Sequence, residues 1–590
     1  MRLNKLKFVI ILVIGAFVLL AIAFVGLKLA RKAHHHLLNK PKLIETAGLI
    51  SGLHIAPTQD GLIIFVASSL DRIFTDARTL EKPSFSTSAS ISSAKNAYES
   101  FQIVVDASSK DQPGVYLLSS DLVNSKTGTM ISKDNITWRV EGYVETRRPY
   151  YPVKFVGMWA DPLIPTKSFD VKAGDAQPFW VTVYVPQDTP AGEYTGTIIV
   201  KGLNFAAQSI PISMHVYGFT LPLESHLKTA FDFYGHITKI RYPELADESA
   251  IAWNARLDSI NDKFIVNMLK HRMNPILNID PTSQPQLANV DRYRVLGLNN
   301  FSIGKHGGTF DNNWPKDDPS IEAFLPTYQT FGEDLKINSL LDYTYIYTWD
   351  EGDIGNPIVP KLTSMIHRAY PGLKNMVCYH GFWDPDTLPN WGKDIDIWTF
   401  QIDDFNEAKM RKLQKIGKEI WMYVSGPSGT TSPNLAIDFD SIDYRIIPWI
   451  CWKYDIRGFL YWCVNWWPDV NVDPLENAKN SKWEQNGNGL IFYPGTDGPW
   501  DSIRTENFRD GMQDYEYIQI LLNKLRVLHA KGLETKYKED YDQSVKLLTM
   551  DDSIVKSIWN FTKDGDYLKS RRDAIAQEIE KINNLAGIGK

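Results

Sequence analysis

From about Thr46 to Leu221 the chain runs in short apolar or alternating stretches, among them Gly61–Val66, Ser100–Val105, Thr137–Val144, Phe179–Val185, Gly192–Val200 and Ile210–Val216. Clusters of Gly, Pro, Asn and Asp such as Pro186–Gly192 separate them. Short strands at such spacing predict an antiparallel β-sandwich over residues 46–222. After Pro222 the rhythm changes. Apolar runs at Leu227–Phe233, Pro275–Ile279, Phe301–Gly304, Leu341–Thr348, Asn375–Tyr379, Ile395–Phe400, Glu419–Tyr423 and Gly458–Cys463 read as strands. Helical patterns at Ile251–Arg272, Ile321–Leu335, Ile358–Ala369, Asn406–Ile416 and Tyr444–Lys453 fall between most of them. Strands alternating with helices predict a (β/α)8 TIM barrel over residues 223–528, its last helix near Thr505–Leu528. Residues 529–590 read as a helical tail, helical over Lys538–Leu585.

Phe8 to Leu27 carries no charge. At about 1.5 Å per residue its length matches one hydrocarbon core of about 30 Å. It exceeds the apolar region of a cleaved signal peptide, so residues 1–45 read as a signal-anchor and juxtamembrane linker. Arg2, Lys5 and Lys7 before it balance Lys28, Arg31 and Lys32 after it, so charge does not set the orientation. The expected placement, single-pass with the large domains extracytoplasmic, follows from the chemistry below. His34–His36 reads as a solvated stretch rather than a metal site.

The chain has 590 residues, a net charge of −6 and ordinary apolar content, which excludes a disordered chain. No basic stripe suggests nucleic acid as a partner. Cys378, Cys451 and Cys463 sit in apolar runs and read as core residues, not a disulfide framework. Aromatic residues make up 12% and include 18 tryptophans, a surplus of flat apolar faces that suits sugar rings.

In a TIM barrel the chemistry lies at the C-terminal ends of the strands. There the sequence offers Asp232, Asn278, Tyr379, His380, Gln401, Asp403, Asp404, Asn465, Trp466 and Trp467. The fourth strand ends Trp349-Asp350-Glu351-Gly352. Neighbouring carboxylates serve one site only where a strand ends and turns, and Gly352 is expected to permit the turn. Trp349 is expected to wall the pair and raise the pKa of one acid. The seventh strand ends Val424-Ser425-Gly426 with no acid. A glycosidase with no second carboxylate there can use the substrate's 2-acetamido oxygen as nucleophile. The competing reading makes Asp403 or Asp404 the second carboxylate. Either aspartate could instead cap the following helix. No ligand spacing for a metal and no cofactor motif is present at the strand ends.

Trp349-Asp350-Glu351, Gly487-Asn488-Gly489-Leu490-Ile491-Phe492-Tyr493-Pro494-Gly495 and the run from Ser502 to Tyr517 resemble glycoside hydrolase family 123. Tyr98–Gln102, Asp161–Pro165 and Pro190–Gly196 in the sandwich are similar to it as well. The resemblance implies a β-sandwich before the barrel and exo-acting, retaining β-N-acetylgalactosaminidase or hexosaminidase chemistry with substrate assistance. By its motif Asp350 would orient the acetamido group and Glu351 would be acid and base. The expected sugar contacts are Asp232, Asn278, Trp349, Tyr379, His380, Gln401, Asp403, Asn465, Trp466 and Trp467. Gln513, where the pattern expects an acid, reads as a change on a helix surface, and the Arg509–Tyr517 run as structural. Two further readings stand beside this one: a glycosidase for a sugar without an acetamido group, and a non-catalytic glycan-binding surface protein.

Overall fold

A computed structural model describes residues 50–51, 62–76, 78–79, 85–281, 285–304, 307–308, 314–426, 432–467, 479–480 and 485–585. The anchor expected at residues 8–27 and the histidines at 34–36 lie outside them. Among the described residues no helix is long and apolar enough to cross a membrane.

Two sheets face each other at the N-terminal end. One has the strand order Met158–Ile164, Ile136–Glu145, Ala176–Val185, Ala97–Asp106, Ile63–Ser68; the other is built around Gly192–Lys201 and Gln208–Thr220. Strand alternation turns Phe101, Ile103, Val181, Tyr194, Ile198 and Val200 into one buried core. The sandwich is antiparallel except at one edge, where Gln208–Thr220 pairs in parallel with Ala89–Lys95.

The second domain is a nearly closed parallel barrel. Its strands are Lys228–Phe231, Phe301–Ser302, Thr344–Asp350, Asn375–Tyr379, Ile397–Gln401, Glu419–Val424 and Gly458–Tyr461, and the last pairs back onto the first. The expected second strand is present only as single bridges, Phe231 to Pro275 and Ile279 to Ile303. Pro275 has no N–H to give a ladder, and Asn278 turns left-handed at φ +45°, so regular pairing stops at both ends. Inside the barrel Ala230, Ile276, Tyr345, Tyr347, Met376, Cys378, Ile397, Trp421, Tyr423 and Leu460 fill the centre. Above them, at the C-terminal mouth, a pocket opens.

Helix Ile503–Ala530 closes the barrel and is buried nearly all round over its first half, because the sandwich lies against it. Arg504 reaches Asp161 of the sandwich at 2.7 Å, and both side chains are fully buried. Gln513 is also buried, a correction to its expected surface position. It accepts from Tyr98 N at 2.7 Å and donates to Tyr98 O at 2.9 Å, a pairing that an ionised acid could not complete. Beyond it, in the expected helical tail, helices Lys538–Leu548 and Gly565–Asn583 enclose a small hairpin, Val555–Ser557 with Asn560–Phe561. The last helix returns to the sandwich, pairing Arg572 with Glu99 at 2.5 Å.

Candidate active site

The fourth strand builds the centre of the site through two departures from regular geometry. In an ordinary strand Tyr347 and Trp349 would share a face and Asp350 would point away. The register shifts between Tyr347 and Trp349, so Tyr347 and Asp350 both face the interior while Trp349 packs outside. Glu351 then takes a left-handed conformation, φ +42°, which brings its side chain into the same pocket. Such a conformation costs a non-glycine residue about 1–3 kcal/mol and is characteristic of functional positions. Gly352 is not the turning residue; a Cβ there would overlap the Trp349 indole nitrogen, so its role is close packing.

The two carboxylates have different surroundings. Tyr347 donates its hydroxyl to Asp350 Oδ1 at 2.6 Å, and Tyr423 donates to Glu351 Oε1 at 2.9 Å. Burial pushes both phenols well above their usual pKa, so they remain donors. His380 Nε2 stands 3.8 Å from Glu351 Oε2, and its Nδ1 lies 2.9 Å from Asp404 Oδ2. The Glu351 carboxylate, opposed by partial burial and aided by Asp404, raises His380 to about 9. Burial alone would raise Glu351, but its contacts with His380 and Tyr423 outweigh this and hold it below the usual range. The expected rise of an acid pKa against Trp349 is therefore not the resting condition. The proton rests on the imidazole.

A pocket of about 540 Å³ surrounds the pair. Of the expected residues, Asp232, Asp350, Glu351, His380, Gln401 and Trp466 line it. Others do not reach it. Trp349, Tyr379 and Trp467 are buried in the layer outside the barrel strands. Tyr379 stacks on Trp398, and Trp467 donates to Phe492 O at 2.9 Å. Asn278 accepts from the Ser302 hydroxyl at 3.0 Å. Asn465 is fully buried and braces the Tyr234 backbone, accepting from its N–H at 2.9 Å and donating to its carbonyl at 3.0 Å. It positions a pocket residue instead of touching the cavity. Asp403 accepts from Ser432 at 2.5 Å. Neither Asp403 nor Asp404 caps the next helix; Asn406 does, accepting from Lys409 N.

Trp462, Gln485, Asn488 and Tyr150, which the strand-end reading missed, complete the walls. Trp462 and Trp466 form an aromatic corner with ring centroids 5.7 Å apart, and Tyr234 meets Trp466 edge-on at 5.8 Å. Gln485 and Asn488 come from the long segment after the eighth strand, and Tyr150 comes from the sandwich. Cys378 sits in the floor as a neutral thiol, its pKa raised well above normal by burial. All three cysteines are free and buried. A His–carboxylate cluster, His271, Asp501 and Glu506, lies at the domain junction away from this pocket. There Arg509 already pairs with Glu506 at 2.7 Å.

Adjacent acids in an aromatic cleft at the mouth of a parallel barrel are the apparatus of a glycoside hydrolase, and the comparisons agree. The signature described as glycoside hydrolase 123, catalytic domain, matches residues 303–521, and the family's N-terminal domain signature matches residues 69–202. The chain belongs to glycoside hydrolase family 123. Among solved structures it is similar to a family 123 glycoside hydrolase from Clostridium perfringens, studied for glycolipid glycan hydrolysis. The two are 15% identical with a TM-score of 0.63, over 89% of this chain and 98% of that one. A family 39 glycoside hydrolase from Bacteroides cellulosilyticus aligns at 9% identity and TM-score 0.33, over 72% of this chain and 82% of that one. No protein with a curated description matches the sequence.

Proposed function

We propose that this glycoside hydrolase is an exo-acting, retaining β-N-acetylhexosaminidase, with a terminal β-linked GalNAc as the favoured sugar, and that the substrate's own acetamido oxygen attacks the anomeric carbon. The observation that carries the reading is the adjacent entry of Asp350 and Glu351 into one pocket, each held by its own tyrosine, while the seventh strand ends in Ser425 and Gly426. Asp350 would hold the amide N–H and balance the charge of the cyclic intermediate. Glu351 would protonate the leaving oxygen and then activate water. Trp462 and Trp466 supply an apolar corner for the sugar ring, and Asp232 and Gln401 supply polar contacts to its hydroxyls. The competing assignment of Asp403 or Asp404 as nucleophile is disfavoured, because Asp404 is engaged by His380 and neither lines the cavity. Among the described residues Asp232 is the third carboxylate of the pocket, and it favours a second reading: direct attack on a sugar without an acetamido group.

A thiazoline analogue of the sugar separates these readings. Under substrate assistance it binds far more tightly than the product, because it resembles the intermediate. Asp350→Asn then lowers kcat by about 10²–10³-fold. Glu351→Gln loses about 10²–10⁴-fold on poor leaving groups and less on activated aryl glycosides. Trapping a glycosyl ester on Asp232, Asp403 or Asp404 would end the substrate-assisted reading. We further infer that residues 8–27 anchor the enzyme with its domains outside the cytoplasm. A chain lacking residues 1–40 should leave the membrane fraction with activity intact; retention in the membrane would refute the anchor.

A further inference from the structure

The sandwich segment 146–157 crosses onto the mouth of the barrel, where two loops hold it. Arg147 N donates to Asn486 Oδ1 at 3.0 Å, and Asn486 Nδ2 donates back to Arg147 O at 2.8 Å. Tyr151, 2% exposed, donates to Asp438 Oδ1 at 2.8 Å, and Lys154 meets Asp440 at 2.9 Å. Tyr150 behaves differently from this buried neighbour. It is 38% exposed and lines the pocket, and its hydroxyl accepts one hydrogen bond, from Gln485 Nε2 at 2.5 Å. The docking of the segment is thus borne by other residues, which leaves the ring of Tyr150 presented at the mouth of the site.

Its position within the mouth is specific. Gln485 packs so closely on Gly426 that any Cβ there would overlap it, which sets Tyr150 above the end of the seventh strand. That strand carries Tyr423, the donor to Glu351. Asp403, next in sequence to the aspartate that holds His380, is near enough to act electrostatically on the Tyr150 hydroxyl. Through Gln485, to which Asn488 donates, Tyr150 is also linked to Trp462, whose indole donates to Asn488 at 2.8 Å. It therefore stands over the seventh and eighth strand ends, between the Glu351–His380 side of the mouth and the Trp462–Trp466 corner.

We propose that Tyr150, supplied by the sandwich domain, is the stacking surface for the sugar on the leaving-group side of the scissile bond, so that the enzyme selects glycans over glycosides of small alcohols. This rests on the assignment of Glu351 as the acid, since the departing oxygen must lie against that carboxyl. A ring with one polar edge suits a pyranose, taking its C–H face on the aromatic surface while the hydroxyl stays paired with Gln485.

The test uses the full chain, a β-linked disaccharide ending in the 2-acetamido sugar, and the free monosaccharide product as competitive inhibitor. Tyr150→Ala should lower kcat/KM for the disaccharide about five- to tenfold. Tyr150→Phe, which keeps the ring but loses the bond to Gln485, should stay within about twofold of wild type. The inhibition constant of the monosaccharide, which occupies only the inner pocket, should move by less than about twofold in both. The proposal is overturned if Tyr150→Ala leaves disaccharide cleavage unaffected. Loss of monosaccharide binding in parallel, or an equal loss in Tyr150→Phe, also overturns it. Should wild type cleave no 2-acetamido glycoside, the functional reading fails instead. The same variants then test Tyr150 on whichever disaccharide is cleaved, with that reaction's monosaccharide product as inhibitor.

Discussion

His380 lies with its Nε2 3.8 Å from Glu351 Oε2, its ring fixed from the other side by Asp404 at 2.9 Å. Glu351 and His380 therefore titrate together. At neutral pH they hold one proton, and it rests on the imidazole, whose pKa its carboxylate neighbours raise to about 9. With Glu351 as the proposed acid, general acid catalysis needs that proton on its carboxyl. A glycoside that displaces water from Glu351 strengthens the burial that already pushes its pKa up, and so draws the proton across. The working form is the pair with one proton, whichever partner carries it in the empty site.

The sign of the pH dependence follows. A raised histidine keeps its proton below its folded pKa and loses it as pH rises through that value, so kcat/KM should fall on the alkaline side near pH 9. His380→Gln removes the reservoir and leaves a carboxyl alone to hold the proton. Its alkaline limb should move at least about two pH units toward acid. Asp404→Asn should move it the same way by less. An alkaline limb that stays near 9 in His380→Gln would show that another group sets it.

Tyr347 offers a second test. Its hydroxyl reaches Asp350 at 2.6 Å from a buried position. Hydrogen bonds to charged groups contribute about 1.5–3 kcal/mol. If Asp350 must be held in one orientation for the reaction, Tyr347→Phe should lower kcat about tenfold or more with KM little changed. A rise in KM alone would mean that Tyr347 serves binding.

The architecture was legible because the strands and helices of residues 223–528 differ in period, and the Asp350–Glu351 pair because it sits at a strand end. Which side chains reach the pocket was not. Strands buried on both faces carry no clear inward or outward signal, so Trp349 and Tyr379 read as pocket residues although they pack outside the barrel, as does Trp467 in the segment beyond the last strand. The bulge before Trp349 and the left-handed Glu351 reverse the expected alternation, and no residue type marks either. Tyr150 and Gln485 meet across 335 positions of sequence, a contact that only tertiary structure creates.

Glu141 gives a prediction about stability. It is 1% exposed, neither carboxylate oxygen has a hydrogen-bond partner, and burial raises its pKa to about 8 against the partial opposition of Arg72. The folded chain keeps this proton at pH values where the unfolded chain, with an ordinary carboxyl, has lost it. Stability from this group is therefore lost as pH rises from the ordinary glutamate range toward 8. Glu141→Gln should match wild type near pH 4.5 and exceed it by a few kcal/mol above pH 8, read from urea midpoints at both pH values. An equal difference at both would mean that the substitution acts through packing alone.

The final prediction concerns the ion pair that joins the domains. Arg504 and Asp161 are fully buried, and Tyr493 also donates to Asp161, at 2.7 Å. The same guanidinium donates to the carbonyls of Leu435 and Gly487, both at 2.9 Å, in the loops next to Gln485 and Asn488 of the pocket. Removing one member of a buried pair leaves an uncompensated charge and costs about 3–5 kcal/mol, whereas replacing both by apolar residues of similar size costs little. Asp161→Asn should thus be strongly destabilising. Asp161→Leu combined with Arg504→Met should recover part of the loss, because it removes the lone charge but leaves the Tyr493 hydroxyl and the Leu435 and Gly487 carbonyls without these partners. Activity should separate from stability. The double variant still lacks the donor to Leu435 and Gly487, so the loops that carry Gln485 and Asn488 lose their brace and kcat/KM should remain reduced. Full activity in the stable double variant would show that Arg504 only joins the two domains and does not shape the site.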